Sequence, residues 1–182
     1  MALLKTSSRG KGGTHFTTVG YLGHTFRSME IPQNHFYVTL FSNASKEVFP
    51  DNTLTAFTIH LAQPIDLGQS DWEVGLAELS YKAPNRQIMQ GKLIDVISSV
   101  NVLVYCDLIT PQMVGTEGVR LLRTIICPTQ SGNHLFDNIY YLPVEKKLFQ
   151  DINVELRETS GEPPALEAGI IRTKVVLHFR RV

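Results

Sequence analysis

From His35 onward the chain repeats one pattern, and it constrains the fold more than anything else in the sequence. Short runs of β-branched and aromatic residues, alternating with polar ones, are separated by turn-rich segments. Eight runs stand out: HFYVTLFS (35–42), TLTAFTIHL (53–61), WEVGLAELSY (72–81), SVNVLVYCDL (99–108), VRLLRTII (119–126), HLFDNIYYLPV (134–144), FQDINVELR (149–157) and RTKVVLHFRR (172–181). A period of two puts Val100, Val102, Val104 and Cys106 on one face, and likewise Ile152, Val154 and Leu156, and Val175, Leu177 and Phe179. Helical periodicity is scarce, and only PNRQIMQGKLIDV, between the third and fourth runs, is compatible with a short helix.

Eight strands in about 150 residues with almost no helix predict a two-sheet antiparallel sandwich. An immunoglobulin-like domain needs about 100 residues and seven strands. The eighth strand and the long connections at 82–98 and 158–171 favour a single jelly roll of eight antiparallel strands over residues 35–182.

Residues 1–34 read differently. TSSRGKGGTHFTTVGYLGH is rich in Gly, Ser and Thr and cannot bury enough apolar area to offset its ordering entropy. The expectation is a flexible N-terminal arm in which Phe16, Tyr21, Leu22 and Phe26 are positioned to dock onto a partner. The whole chain of 182 residues is charge-balanced, with seventeen basic and seventeen acidic residues, so no global field selects nucleic acid or membrane. The arm nevertheless carries Lys5, Arg9, Lys11 and Arg27 against Glu30, and the body is mildly acidic. Three clustered cations, Lys5, Arg9 and Lys11, give at most weak, salt-sensitive contact with nucleic acid. No apolar run approaches the ~18 residues of a membrane span, and MALLKTSSRGKGG lacks a secretory core, so the expectation is a soluble chain made inside the cell, without membrane contact.

His15, His24, His35, His60, His134 and His178 occur singly, with no metal-ligand spacing between them. There is no G-x-S-x-G elbow, and RGKGG lacks the spacing and preceding strand of a phosphate loop. Cys106 falls on a core face, where a thiol is inert. Cys106 and Cys127 make no redox or metal motif; a disulfide between them stays open, with a reducing compartment the simpler reading. Asp51, Asp66 and Asp71 sit in turn contexts, although distant carboxylate pairs are not readable from sequence. In FPDNTLTAFTIHL, Asp51 and Asn52 read as turn builders and His60 as an outward-facing strand residue. No catalytic, cofactor or metal site is expected.

Two features point to contact instead. WEVGLAEL is apolar through Trp72, Val74 and Leu76, while Gly75 and Ala77 opposite are small and Leu79 continues their side. A strand apolar on both faces needs two covers, one of which is either a loop of the same chain or a neighbouring subunit. In the last run, Lys174, His178 and Arg180 share an outer face with Arg181 beside them, either as a solvated basic edge or as an interface to an acidic surface.

Taken in order, FYVTLFSNAS, FPDNTLTAFTIHLAQPIDL, WEVGLAELSY, VYCDLITPQMVG, LLRTI, YYLPV, INVELR and VVLHFRR resemble the minor capsid, or penton, proteins of Polinton/Maverick elements and adintovirus-like viruses. The resemblance covers roughly residues 35–182 and rests on fold-pattern motifs. It implies a homopentamer of single jelly rolls at the fivefold vertices of an icosahedral virion, assembled inside the host cell beside double-jelly-roll major capsid protein. It implies no cofactor and no enzyme activity, and it transfers no catalytic residues. No insertion is large enough for a separate receptor-binding domain. The alternatives are a non-viral jelly-roll binding module of lectin or trimeric-ligand type and, third, a cupin-type enzyme.

Overall fold

A computed structural model describes residues 20–21, 24–25, 34–82, 100–127, 132–164 and 172–182. Among the described residues there are thirteen strands: β1 (Gly20–Tyr21), β2 (His24–Thr25), β3 (His35–Phe41), β4 (Ala56–Asp66), β5 (Trp72–Tyr81), β6 (Val100–Cys106), β7 (Gln112–Val114), β8 (Glu117–Val119), β9 (Leu121–Cys127), β10 (Gly132–Leu135), β11 (Leu142–Pro143), β12 (Leu148–Glu158) and β13 (Lys174–Arg181). There is no helix among the described residues. One sheet has the order β10-β5-β13-β3, with β11 also on β5, and the other has the order β4-β12-β6-β9. Counting the eight long strands along the chain, the sheets run first-eighth-third-sixth and second-seventh-fourth-fifth, every pairing antiparallel. That interleaving is the jelly roll expected from the pattern.

Alternation explains the core. Val102, Val104 and Cys106, Ile152, Val154 and Leu156, and Val175, Leu177 and Phe179 are all buried between the sheets, joined by Leu40, Phe57, Ile59, Leu76 and Leu79. Phe179 stacks on Phe36 at 4.6 Å between centroids, and Phe36 meets Trp72 edge-on at 5.5 Å. The Trp72 indole N–H donates to the Leu67 carbonyl at 3.1 Å, so this large ring is buried without an orphaned donor. Burial pushes the Cys106 thiol up to about 12, as expected of an inert core residue. Cys127 pairs with Val100 at the far end of the β6–β9 ladder, six residues from Cys106. That separation is about 20 Å at strand rise, so no disulfide joins the two cysteines.

Several elements depart from the sequence pattern. AQPID, read as a turn, continues β4 to Asp66, because β12 follows it past an irregularity between Phe149 and Asp151. The run expected over 134–144 is split into β10 and β11, and a small hairpin, β7–β8, stands where no strand was expected. Its two-residue turn has Gly115 at φ 63°, the first central position where a mirror-image turn needs glycine. Leu79 does not face away from Trp72, Val74 and Leu76. Opposite Val176 and Leu177 of β13, β5 places Glu78 and Leu76, leaving Ala77 as an extra residue. The bulge reverses the alternation, so Leu79 and Tyr81 point inward with Trp72, Val74 and Leu76. Most of the arm expected over 1–34, including Phe16 and Phe26, and the possible helix of 82–98 lie outside the described residues.

The edge of β4 is closed by the loop that precedes it. Asn52 is buried, and its amide exchanges two hydrogen bonds with Thr58, accepting from the Thr58 N–H and donating to the Thr58 carbonyl, both at 2.8 Å. It thereby behaves as one residue of a missing strand. Ser45, held at φ 59°, accepts from the His60 N–H at 2.9 Å, and Thr53 exchanges backbone and hydroxyl bonds with Ala56. Replacing Asn52 by Ala leaves both Thr58 groups part-buried and unpaired. The expected cost is about 1–3 kcal/mol in urea unfolding, and Asn52→Asp, which keeps only acceptors, is expected to rescue little of it.

Candidate assembly surface

The outer face of the β10-β5-β13-β3 sheet gathers most of the residues singled out for contact. β13 turns Val175, Leu177 and Phe179 inward, so Lys174, Val176, His178 and Arg180 alternate outward. Lys174 forms an ion pair with Glu78, and Arg180 donates through Nε and Nη2 to Glu73 Oε2 at 2.8 and 2.7 Å. Both glutamates lie on β5, beside β13 in register. The two cations are therefore paired within the chain rather than left for an acidic partner. Arg181, at the exposed end of the strand, has no ion pair among the described residues.

His178 sits at the centre of an aromatic cluster. The Tyr141 hydroxyl is hydrogen-bonded to its Nδ1 at 2.6 Å, and its Nε2 lies 3.4 Å from Nδ1 of His35. Tyr37 stacks on the imidazole at 4.3 Å, while the Arg180 guanidinium lies 3.7 Å from the centre of the Tyr141 ring. The arrangement suits a neutral imidazole, which offers one donor and one acceptor to the two partners. Burial, then the neighbouring His35 and Arg180, hold the pKa of His178 below its ordinary value. Sequence spacing separates the two histidines widely. Only the pairing of β3 with β13 brings them together, and no local motif announces it.

The second cover of β5 belongs to the chain itself. Between β10 and β11 the segment 136–141 bulges over the outer face, and the Phe136 N–H donates to the Ala77 carbonyl at 3.0 Å. A methyl group added at Gly75 would collide with the Tyr140 carbonyl oxygen and Ile139 Cγ2. Glycine is required there because backbone lies directly on backbone. The covered face still presents Tyr37 and Leu135, which are 58% and 69% exposed.

The other sheet carries the residues of FPDNTLTAFTIHL. His60 is outward-facing, its Nδ1 2.7 Å from Asp151 and its Nε2 3.1 Å from the Gln150 amide. Both ring nitrogens are thus engaged, and Ser45, which a hydrolytic triad would require, bonds the His60 backbone instead. The side chains of His60, Asp151 and Gln150 bridge β4 and β12. His134 pairs with the Tyr81 hydroxyl at 3.2 Å and stacks between Tyr81 and Phe136. No three His, Cys, Asp or Glu residues converge on a cation site among the described residues. Of the arm residues proposed for docking, Tyr21 is described only through its backbone, which pairs with His24.

Two outcomes follow from this geometry. Gly75→Ala is expected to lower stability by about 1–3 kcal/mol, as overpacking does, and to displace 139–141, loosening the Tyr141–His178 bond seen by imidazole NMR. For His178, the unfolded chain takes up a proton as pH falls through 6.5 while the folded chain resists until lower pH. Stability is therefore full above that value and declines below it. His178→Gln, which keeps a hydrogen-bonding group for Tyr141, is expected to flatten this acid limb of the thermal midpoint profile.

No family model matches the chain, and no curated protein matches it. Among solved structures it is similar to the crystal structure of the mavirus penton protein, with a TM-score of 0.54 and 8% identity, covering 81% of this chain and 100% of that one. The chain shares its fold with that protein.

Proposed function

We propose that this chain is a structural capsid subunit, a penton protein that forms homopentamers at the fivefold vertices of a virion shell beside double-jelly-roll major capsid protein. The observation that carries the reading is the fold match to the mavirus penton protein, which spans 81% of this chain and all of that one. The interleaved strand order and the series of blocks over 35–182 that resemble Polinton/Maverick and adintovirus-like pentons support it independently. A vertex subunit has to resist deformation, and a close-packed double sheet with a continuous apolar core does so. Five identical wedges close a ring through two different patches, a heterologous contact. The outer face around Lys174, His178, Arg180 and Arg181, with Tyr37 and Leu135, is one of the patches we assign. Phe16, Tyr21 and Phe26 of the arm are assigned to contacts with neighbouring subunits or the shell, and Lys5, Arg9 and Lys11 to weak nucleic-acid contact. The role is one of geometry, without catalysis or cofactor, in the virion and, during assembly, in the host cell.

Native mass spectrometry and electron microscopy of the purified chain, alone and co-expressed with its major capsid protein, test the proposal. Fivefold rings that incorporate at shell vertices are the expected result. A trimer that binds glycans, or a monomer that never joins the major capsid protein, overturns it.

A further inference from the structure

A sandwich of two open sheets has four edges, and they are treated unequally here. Thr53, Asn52 and Ser45 occupy the outward backbone groups of β4 at Ala56, Thr58 and His60. β10 is only four residues long, and β9 carries Arg123 at its middle. The remaining edge is β3, seven residues with no Pro, Lys, Arg, Asp or Glu. Natural edges are guarded by such residues, by covering loops or by brevity. β3 has none of these safeguards among the described residues.

Its hydrogen bonds show which groups are open. The Ser42 N–H donates to the Thr173 carbonyl at 3.0 Å, and the Arg181 N–H to the Asn34 carbonyl at 2.8 Å. Bonding alternates along an antiparallel pair, so Phe36, Val38 and Leu40 belong to the set that faces β13. His35, Tyr37 and Thr39 therefore direct their N–H and C=O groups away from the sheet, and no described backbone group meets them.

We propose that this edge is the docking strand for the arm of a second copy, with Phe16–Tyr21 of one chain (FTTVGY) adding to His35–Thr39 of the next. The proposal rests on the assembly reading in taking another copy as occupant. Twelve residues, Leu22–Gln33, tether this segment to Asn34, about 40 Å at full extension and enough to reach a neighbour. The run contains the arm's densest group of β-forming residues, Phe16, Thr17, Thr18, Val19 and Tyr21. Gly20–Tyr21 is already extended and pairs with His24–Thr25, and among the described residues its other edge has no strand partner. The arm carries a surplus of positive charge and the body a surplus of negative charge, so attraction favours arm on body. A ring of identical subunits supplies one such edge and one such arm at every boundary.

Hydrogen exchange by mass spectrometry on the full chain, across concentrations that span assembly, tests this, with native mass spectrometry alongside. The decisive variant is Thr39→Pro, which deletes an outward N–H and no bond to β13, so the isolated fold survives. Expected is exchange at least about tenfold slower at residues 16–21 and at His35, Tyr37 and Thr39 in the oligomer only, lost in Thr39→Pro. Protection that persists at dilutions where the chain is monomeric means the arm folds onto its own β3 and overturns the proposal. So does a ring, or any other oligomer, whose β3 edge exchanges as fast as in the monomer, or a chain that shows no protection at any concentration. Arm-linked oligomers without fivefold symmetry sustain the edge contact while removing the vertex reading.

Discussion

Every backbone polar group at the margin of an open sheet must find a partner or remain in water, and this requirement organises the molecule. The loop between β3 and β4 meets it for one edge through side chains. Asn52 reproduces a strand residue with its amide, and Ser45 and Thr53 continue the row on either side. The turn FPDNT is therefore part of the second sheet in all but chain direction. It fixes where β4 starts, and through β4 it fixes the register against β12, on which Phe57, Ile59, Ile152 and Val154 depend for burial.

The first sheet depends on one extra residue. Without Ala77 as a bulge, Leu79 and Tyr81 would face outward and the inner face of β5 would be apolar over only half its length. Beside the bulge, the absent side chain of Gly75 leaves room for 136–141 to lie across the outer face. The inserted residue thus completes the core on one side of β5, while on the other Gly75 admits the segment that carries Tyr141 to His178 and Arg180.

How much of this was legible depends on the range of the interaction involved. The strand faces of β6, β12 and β13 are local, and Val102, Ile152 and Leu177 follow from alternation alone. The choice of a jelly roll over an immunoglobulin-like sandwich follows from strand number and connection length, while the strand order is visible only in the structure. The inward turn of Leu79 was not readable, because it is fixed by the partner strand and leaves no mark in WEVGLAEL. The break in HLFDNIYYLPV is set by Gly75, some sixty residues earlier in the chain. The cluster of His35, Tyr37, Tyr141 and His178 joins three segments through tertiary pairing. Lys174 and Arg180 were rightly placed outward, but their partners Glu78 and Glu73 become visible only once β5 lies beside β13.

That pairing bears on how such a surface can hold a neighbour. Exposed ion pairs are worth about 0–1 kcal/mol each, and redirecting Lys174 or Arg180 to another chain would strand Glu78 or Glu73. Association through this face is therefore expected to draw on exposed groups outside those ion pairs, which are the Tyr37 ring, the Leu135 side chain and the open backbone of β3. Backbone bonds and strand geometry tolerate almost any side chain that keeps the alternation. A contact built from them places little demand on residue identity, because the backbone presents the same donors and acceptors whatever side chains it carries.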